Sequence, residues 1–343
     1  MRHTLNSLGV FTLALCLSQA PPLIADDHTV TINGKELSVT LAKKGAELQS
    51  IKHLKTGIEY LWQGDPDYWA ARSPNMFPVN VRFKDDRFTY KGNEFEMPRM
   101  GLAVTAAFET VEHTGEKKKD QTEVNLGKNV SQSKVVQLLN SSEETLHYYP
   151  FPFQLKITSQ VKGLKLLQKY KVTNTGDETL YFALGGHPGF NTPLIKGRDR
   201  SDYHYVFSEK MHVKRNEIIE SLIQENQVDF LNKEDRLKLS DDRIPNGGMF
   251  LLDNQSRQIG IALKGRRPYV TVDLGDFQNT NLWSPPGMPY AAVEPMIAHH
   301  DLQDSPEAIE EKDYLINLPA GKSRSYSFTI IINPKEGTRA LKE

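Results

Sequence analysis

The chain has 343 residues, with 42 Lys and Arg against 43 Asp and Glu and a formal net charge of -1. That balance gives no electrostatic support for a nucleic-acid or anionic-membrane partner. A hydrophobic fraction of 38% over this length suits a soluble protein with a sizeable core, as one large domain or two ordinary ones.

Met1-Arg2-His3 precedes an apolar run from Leu8 to Leu17, followed by small and polar residues. A short basic start and an apolar run too short to span a bilayer read as a secretory signal peptide over residues 1–25. Cleavage after Ala20 or Ala25 fits, and Pro21 favours Ala25. The mature chain is then expected to be exported, periplasmic or secreted. Cys16 is the only cysteine, so the mature protein has no disulfide, no thiol nucleophile and no cysteine metal ligand. No later segment is long and apolar enough to cross a membrane as a helix.

Val30 to Leu41 alternates apolar and polar residues around Asn33-Gly34, a strong hairpin signal. Ala46–Ile51 and Glu59–Trp62 continue as short strands, and Arg87 to Met97 reads as a second hairpin about Lys91-Gly92-Asn93. Residues 112–133 are polar, with the run Lys117-Lys118-Lys119, and read as an exposed insertion loop. Strand-like alternation returns over Leu164–Thr173, turns at Asn174-Thr175-Gly176-Asp177, and resumes at Thr179–Leu184. Asp199 to Glu220 mixes polar residues with Tyr203, Tyr205 and Phe207. Gln258–Leu263, Tyr269–Leu274, Ala291–Val293, Tyr314–Leu318 and Ser325–Ile332 read as further strands. Amphipathic helices are nearly absent, so a single all-β domain over residues 26–335 is expected, with a polar tail over 336–343.

Four stretches depart from this strand-and-turn grammar. Asn75–Arg82 ends an apolar run on an arginine, and Met97–Ala103 is a tight segment after the second hairpin. Ala183-Leu184-Gly185-Gly186-His187-Pro188-Gly189 presents an imidazole on stiff backbone, because a residue before proline is confined to extended conformations. Taken alone it reads as a tight turn with an incidental surface histidine. Tyr290–Met296 places Glu294, also before a proline, in an apolar run. Apolar neighbours would raise its pKa toward useful base strength; the alternative is a strand-end salt bridge.

In order and spacing these stretches resemble the aldose 1-epimerase (galactose mutarotase) superfamily, in its bacterial mutarotase-like branch. The resemblance runs from Gly45–Ile51 through Tyr60–Trp69, Phe77-Pro78 to Arg82, Gly185-Gly186-His187-Pro188, Leu282-Trp283-Ser284 and Glu294-Pro295. It implies a large antiparallel β-supersandwich with a concave sugar-binding cleft. It also implies interconversion of α and β anomers of a free aldose by acid–base ring opening and closure. Glu294 is then the base at the anomeric hydroxyl, His187 the acid at the ring oxygen, and Arg82 a donor to sugar hydroxyls. Asp242 and Trp283 fall near pocket positions, Trp283 reading equally as core. No metal, nucleotide or redox cofactor is implied. The sugar's identity and the oligomeric state stay open.

Two positions depart from the family pattern. Its second histidine, in Pro-x-His-Gly-Phe-Ala-Arg, is replaced by Met100, which neither carries charge nor donates a strong hydrogen bond. The glycine before the arginine is Val81. Both leave open an alternative function, a weakened or non-catalytic carbohydrate-binding protein of the same fold. Ala298-His299-His300-Asp301 reads as a solvated loop, because adjacent side chains of an extended chain point to opposite sides and do not converge on a metal. Glu307 to Asp313 reads as charged surface with one turn of helix.

Overall fold

The computed structural model describes residues 28–114, 132–195, 197–240, 244, 248–252 and 254–340. The expected signal peptide, Cys16, Asp242 and most of the polar insertion lie outside the described residues.

Two antiparallel sheets face each other across the main core. The larger has nine strands, running in space from Leu222–Lys238 through Tyr203–Ile219, Gln258–Leu263, Val270–Asp273, Ser323–Ile332, Lys165–Asn174, Phe153–Lys162 and Gln132–Asn140 to Glu109–Thr114. Its strands have the period-2 pattern the sequence shows: in Phe153–Lys162 buried and half-buried residues alternate for nearly the whole length. The inward set, including Leu155, Ile157, Leu166, Val172, Phe328 and Ile330, forms the apolar core.

The smaller sheet is built from Gly248–Leu251, Asn279–Trp283, Tyr290–Ile297, Leu184–Gly186 and Asn75–Met76, with Gly189–Asn191 also paired to Tyr290–Ile297. Two tyrosines tie the back of this sheet to the larger one. Tyr170 donates to Asn75 Oδ1 at 2.7 Å and Tyr205 to the Ala292 carbonyl at 2.8 Å. Tyr290–Ile297 is buried along its whole length, so both of its faces are covered.

Both expected hairpins form. Thr29–Asn33 pairs with Leu37–Ala42, and Arg87–Tyr90 with Asn93–Glu96. Two regions differ from expectation. Tyr203–Ile219 and Leu222–Lys238 form an antiparallel hairpin of two 17-residue strands, where the sequence reads only as a mixture of polar and aromatic residues. Beyond residue 335 the chain continues as a short helix, Pro334–Ala340, with Gly337 buried against Tyr60.

Candidate active site

Strand register fixes which side chains leave the front of the smaller sheet. Glu294 pairs with Asn281, which pairs with Phe250; Met296 pairs with Asn279 and Gly185; Gly185 pairs with Met76. Alternate residues of one strand share a face, so Tyr290, Ala292, Glu294 and Met296 stand in one row. Asn279, Asn281 and Trp283 flank them on one side, Gly185 and His187 on the other.

His187 is held by its backbone. Its N–H donates to the Pro74 carbonyl at 3.0 Å, while Val293 N–H donates to Pro188 at 3.3 Å. The glycines around it serve close approach. A Cβ on Gly185 would lie 2.7 Å from Met76 Cε, and one on Gly189 2.7 Å from the Trp69 ring. The imidazole lies beside Trp69, 4.9 Å between centroids, and edge-on to Trp283 at 5.2 Å. The imidazole is therefore covered by tryptophan rather than set on the surface. His187 is 9% exposed and Glu294 0%.

The two titratable groups meet directly, with His187 Nε2 3.3 Å from Glu294 Oε1. Asn281 donates to the same oxygen at 2.9 Å and is itself oriented by Met249 N–H on its Oδ1 at 3.1 Å. Glu294 Oε2 is buried without a protein partner. Burial drives the pair's pKa values in opposite directions, because it disfavours the charged form of each. The carboxyl is pushed well above the ordinary carboxylate range, and the Asn281 hydrogen bond opposes that rise. The imidazole is lowered to about 4. Both shifts favour a neutral carboxyl beside a neutral imidazole over the ion pair.

Trp283 extends an aromatic cluster at this end of the cleft, 5.1 Å from both Trp69 and Tyr290, with Trp62 5.2 Å from Tyr290. The loop bearing Trp69 is anchored on both sides. Trp62 Nε1 donates to the Trp69 carbonyl at 2.8 Å, and Glu47 accepts from Arg72 and Ser73 N–H.

Arg82 stands at the other end. Its Nε lies 3.0 Å from Asp86 Oδ1, and its Nη1 donates to the Glu220 carbonyl at the tip of the long hairpin, 3.1 Å away. There Ile223 packs with Met76, Phe250 and Met296, and Val81, Met100, Ile218 and Leu302 pack around them. The structure therefore brings His187, Glu294 and Trp283 together and places Arg82 at the hairpin tip.

The His299–His300 segment is not a solvated loop. His300 and Asp301 are buried, because Asp301 accepts from Lys312 Nζ at 2.8 and 2.9 Å, from Lys84 N–H at 2.7 Å and from the Tyr314 hydroxyl. A carboxylate with this many donors anchors the segment inside the protein. His299 stacks on Tyr314, with ring centroids 4.3 Å apart.

Sequence reasoning missed Asn281 and Trp69. Asn281 had a signal, since Asn279, Asn281 and Trp283 alternate with apolar residues and share a face. Trp69 lies in a loop, where no periodicity points. A groove of about 1010 Å³ lies away from the pair, between residues 85–98 and 138–148, and its lining includes several carboxylates but no imidazole. It lacks an acid–base couple of this kind.

Comparison with known proteins places this geometry in a family. Protein LacX (plasmid) of Lactococcus lactis subsp. lactis is 28% identical over 313 residues, 88% of this chain and 99% of LacX. The solved structure of a galactose mutarotase related enzyme from Lactobacillus acidophilus superposes with a TM-score of 0.79 at 28% identity, covering 89% of this chain and 97% of that one. A galactose mutarotase-like protein from Lactobacillus casei ATCC 334 gives 0.76 at 25% identity, covering 89% and 100%. The family model described as Aldose 1-epimerase matches residues 28–331, and the chain belongs to that family.

Proposed function

We propose that this protein interconverts the α and β anomers of a free sugar, with Glu294 and His187 as the reacting acid–base pair. The observation that carries the reading is the 3.3 Å contact between the imidazole and the carboxyl, both buried on the front of the smaller sheet. Ring opening needs one base and one acid, hence one proton shared between two groups. A protonated carboxyl beside a neutral imidazole has the same proton count as a carboxylate beside an imidazolium. Moving that proton from Glu294 to His187 produces the reactive form without exchange with solvent.

In that form Glu294 removes the proton of the anomeric hydroxyl, and the unpartnered Oε2 is the acceptor available for it. His187 delivers its proton to the ring oxygen as the bond from that oxygen to C1 breaks. The open aldehyde rotates about C1–C2. The ring oxygen, now a hydroxyl, then attacks the opposite face of C1, returning its proton to His187, while Glu294 protonates the carbonyl oxygen. Each group must act as acid in one direction and as base in the other, which suits groups displaced from their ordinary pKa values. Arg82 is read as a hydroxyl-binding donor through N–H groups beyond those held by the Phe83 and Glu220 carbonyls, and Trp283 with Trp69 as an apolar wall for the sugar's C–H face.

Anomer exchange followed by polarimetry or NMR exchange across a panel of neutral and acidic aldoses tests the proposal. Acceleration by the wild type and its loss in His187→Ala and Glu294→Gln are expected, with folding checked by circular dichroism. No acceleration for any sugar by folded wild type refutes it. A second reading, sugar binding without turnover, is favoured by Met100 lying in the apolar cluster. Saturable binding without exchange would select it.

The proposal extends to location. Residues 1–25 act as a secretory signal, which N-terminal sequencing of the protein recovered from the exported fraction tests.

A further inference from the structure

The cleft face changes character on either side of Glu294. The end near Arg82 is apolar: Met76, Phe250, Met296 and Ile223 are buried there, with Met100 and Val81 against them. None of these side chains donates a normal hydrogen bond. Several polar groups of the adjoining 299–314 segment are engaged. Asp301 holds Lys312, Tyr314 and Lys84 N–H, and His299 Nδ1 meets the His300 carbonyl at 2.7 Å.

His300 is different. It is 2% exposed, and neither of its ring nitrogens has a protein partner. Its ring stands edge-to-face on Phe250 with centroids 5.1 Å apart. Phe250 pairs with Asn281, the residue that donates to Glu294. An imidazole buried with one donor and one acceptor both unused is rare, because each is disfavoured away from water. A neutral imidazole matches a sugar hydroxyl, which likewise donates once and accepts.

We propose that His300 is a substrate-binding residue of the cleft, hydrogen-bonding one sugar hydroxyl at the end of the ring away from the tryptophans. The proposal rests on the anomer-exchange reading above and adds a hydroxyl-specific contact to it. Because the wall between Arg82 and His300 is apolar, substituents at that end that meet neither of them are read by shape.

The test takes the aldose exchanged fastest by wild type, together with its monodeoxy analogues, and compares wild type with His300→Leu. The variant is expected to lose roughly tenfold to a hundredfold in kcat/KM for the parent sugar, mostly through KM. The loss should vanish for the one analogue that lacks the recognised hydroxyl. His300→Gln, which keeps a donor and an acceptor, should recover part of it. An unchanged kcat/KM, or an equal loss on every analogue, overturns the proposal and leaves the anomer-exchange reading standing. No exchange and no binding by wild type overturns both.

Should leucine at 300 prevent folding, imidazole nitrogen NMR on wild type decides. The His300 resonances, identified by their loss in His300→Gln, should shift on adding the parent sugar and not on adding that one analogue; no shift overturns the assignment.

Discussion

Burying His300 as a neutral imidazole has a consequence in acid. In the unfolded chain a histidine titrates near 6.5, whereas burial lowers His300 in the folded protein to about 3. Between these values the unfolded state binds a proton that the folded state does not, so stability falls as pH falls. At pH 5 the unfolded imidazole is protonated about thirtyfold over neutral, which stabilises the unfolded state by about 2 kcal/mol relative to pH 7.5. The folded protein gains almost nothing in return, and any folded value below about 4 leaves that figure nearly unchanged. Urea denaturation followed by tryptophan fluorescence at pH 7.5 and pH 5 measures it, in wild type and His300→Leu. His187 is lowered to about 4, and His53, His204 and His299 are lowered as well. These groups titrate in both proteins, so their effect cancels in the comparison. Wild type should lose about 2 kcal/mol more than the variant across this interval. Equal losses, at equal denaturant slopes, would show that His300 is not held neutral in the fold and would refute the reasoning.

The pH profile of anomer exchange should be a broad plateau. Its acid limb falls near pH 4, where His187 takes up a second proton for the pair, and its alkaline limb lies well above the ordinary carboxylate range, where Glu294 loses the only one. Asn281→Leu removes the hydrogen bond that opposes the rise in the Glu294 pKa. The alkaline limb should move further up, and kcat should fall roughly tenfold or more. Lys312→Met strands the buried Asp301 carboxylate and should destabilise the protein by about 3–5 kcal/mol in thermal or urea unfolding. Adding Asp301→Leu to it should recover part of that loss, since no charge is then left unpaired.

Much of the fold was legible because a strand with one buried face writes period 2 into the sequence. Val30 to Leu41 and Leu164 to Thr173 do so, and both form as read. The distal part of the long hairpin at 203–238 does not. Much of that part is exposed or half-buried, so little burial constrains alternation there, and register shifts break the pattern further. His187 and Glu294 were legible from chemistry, as titratable groups before prolines in apolar runs. Their contact was not, since it depends on pairing across more than a hundred residues. His300 was misread for a related reason. Two adjacent histidines beside an aspartate look solvated until Lys312 folds back onto Asp301 and Phe250 arrives from a distant strand to cover His300.

Val81 shows how tightly the apolar end of the cleft is tied to the hairpin. Its backbone has φ 54, a left-handed conformation that costs a β-branched residue about 1–2 kcal/mol and that glycine adopts freely. Met100, at φ 62, donates its N–H to the Val81 carbonyl at 2.7 Å. Both side chains pack onto the cluster containing Ile223, and that burial offsets the strain. Ile223 is held in turn, its N–H donating to the Asp301 carbonyl at 3.1 Å and its carbonyl accepting from Gln303 N–H at 3.0 Å. Asp301 N–H closes the circuit on the Arg82 carbonyl at 3.3 Å. The hairpin tip, the Arg82 turn and the His300 segment are thus hydrogen-bonded and packed as one unit over the front of the smaller sheet. A side chain changed at any one of them alters the wall that a sugar would meet beyond Glu294. Substrate preference should therefore respond to Ile223, which approaches this wall from the hairpin, as well as to the residues on the sheet itself.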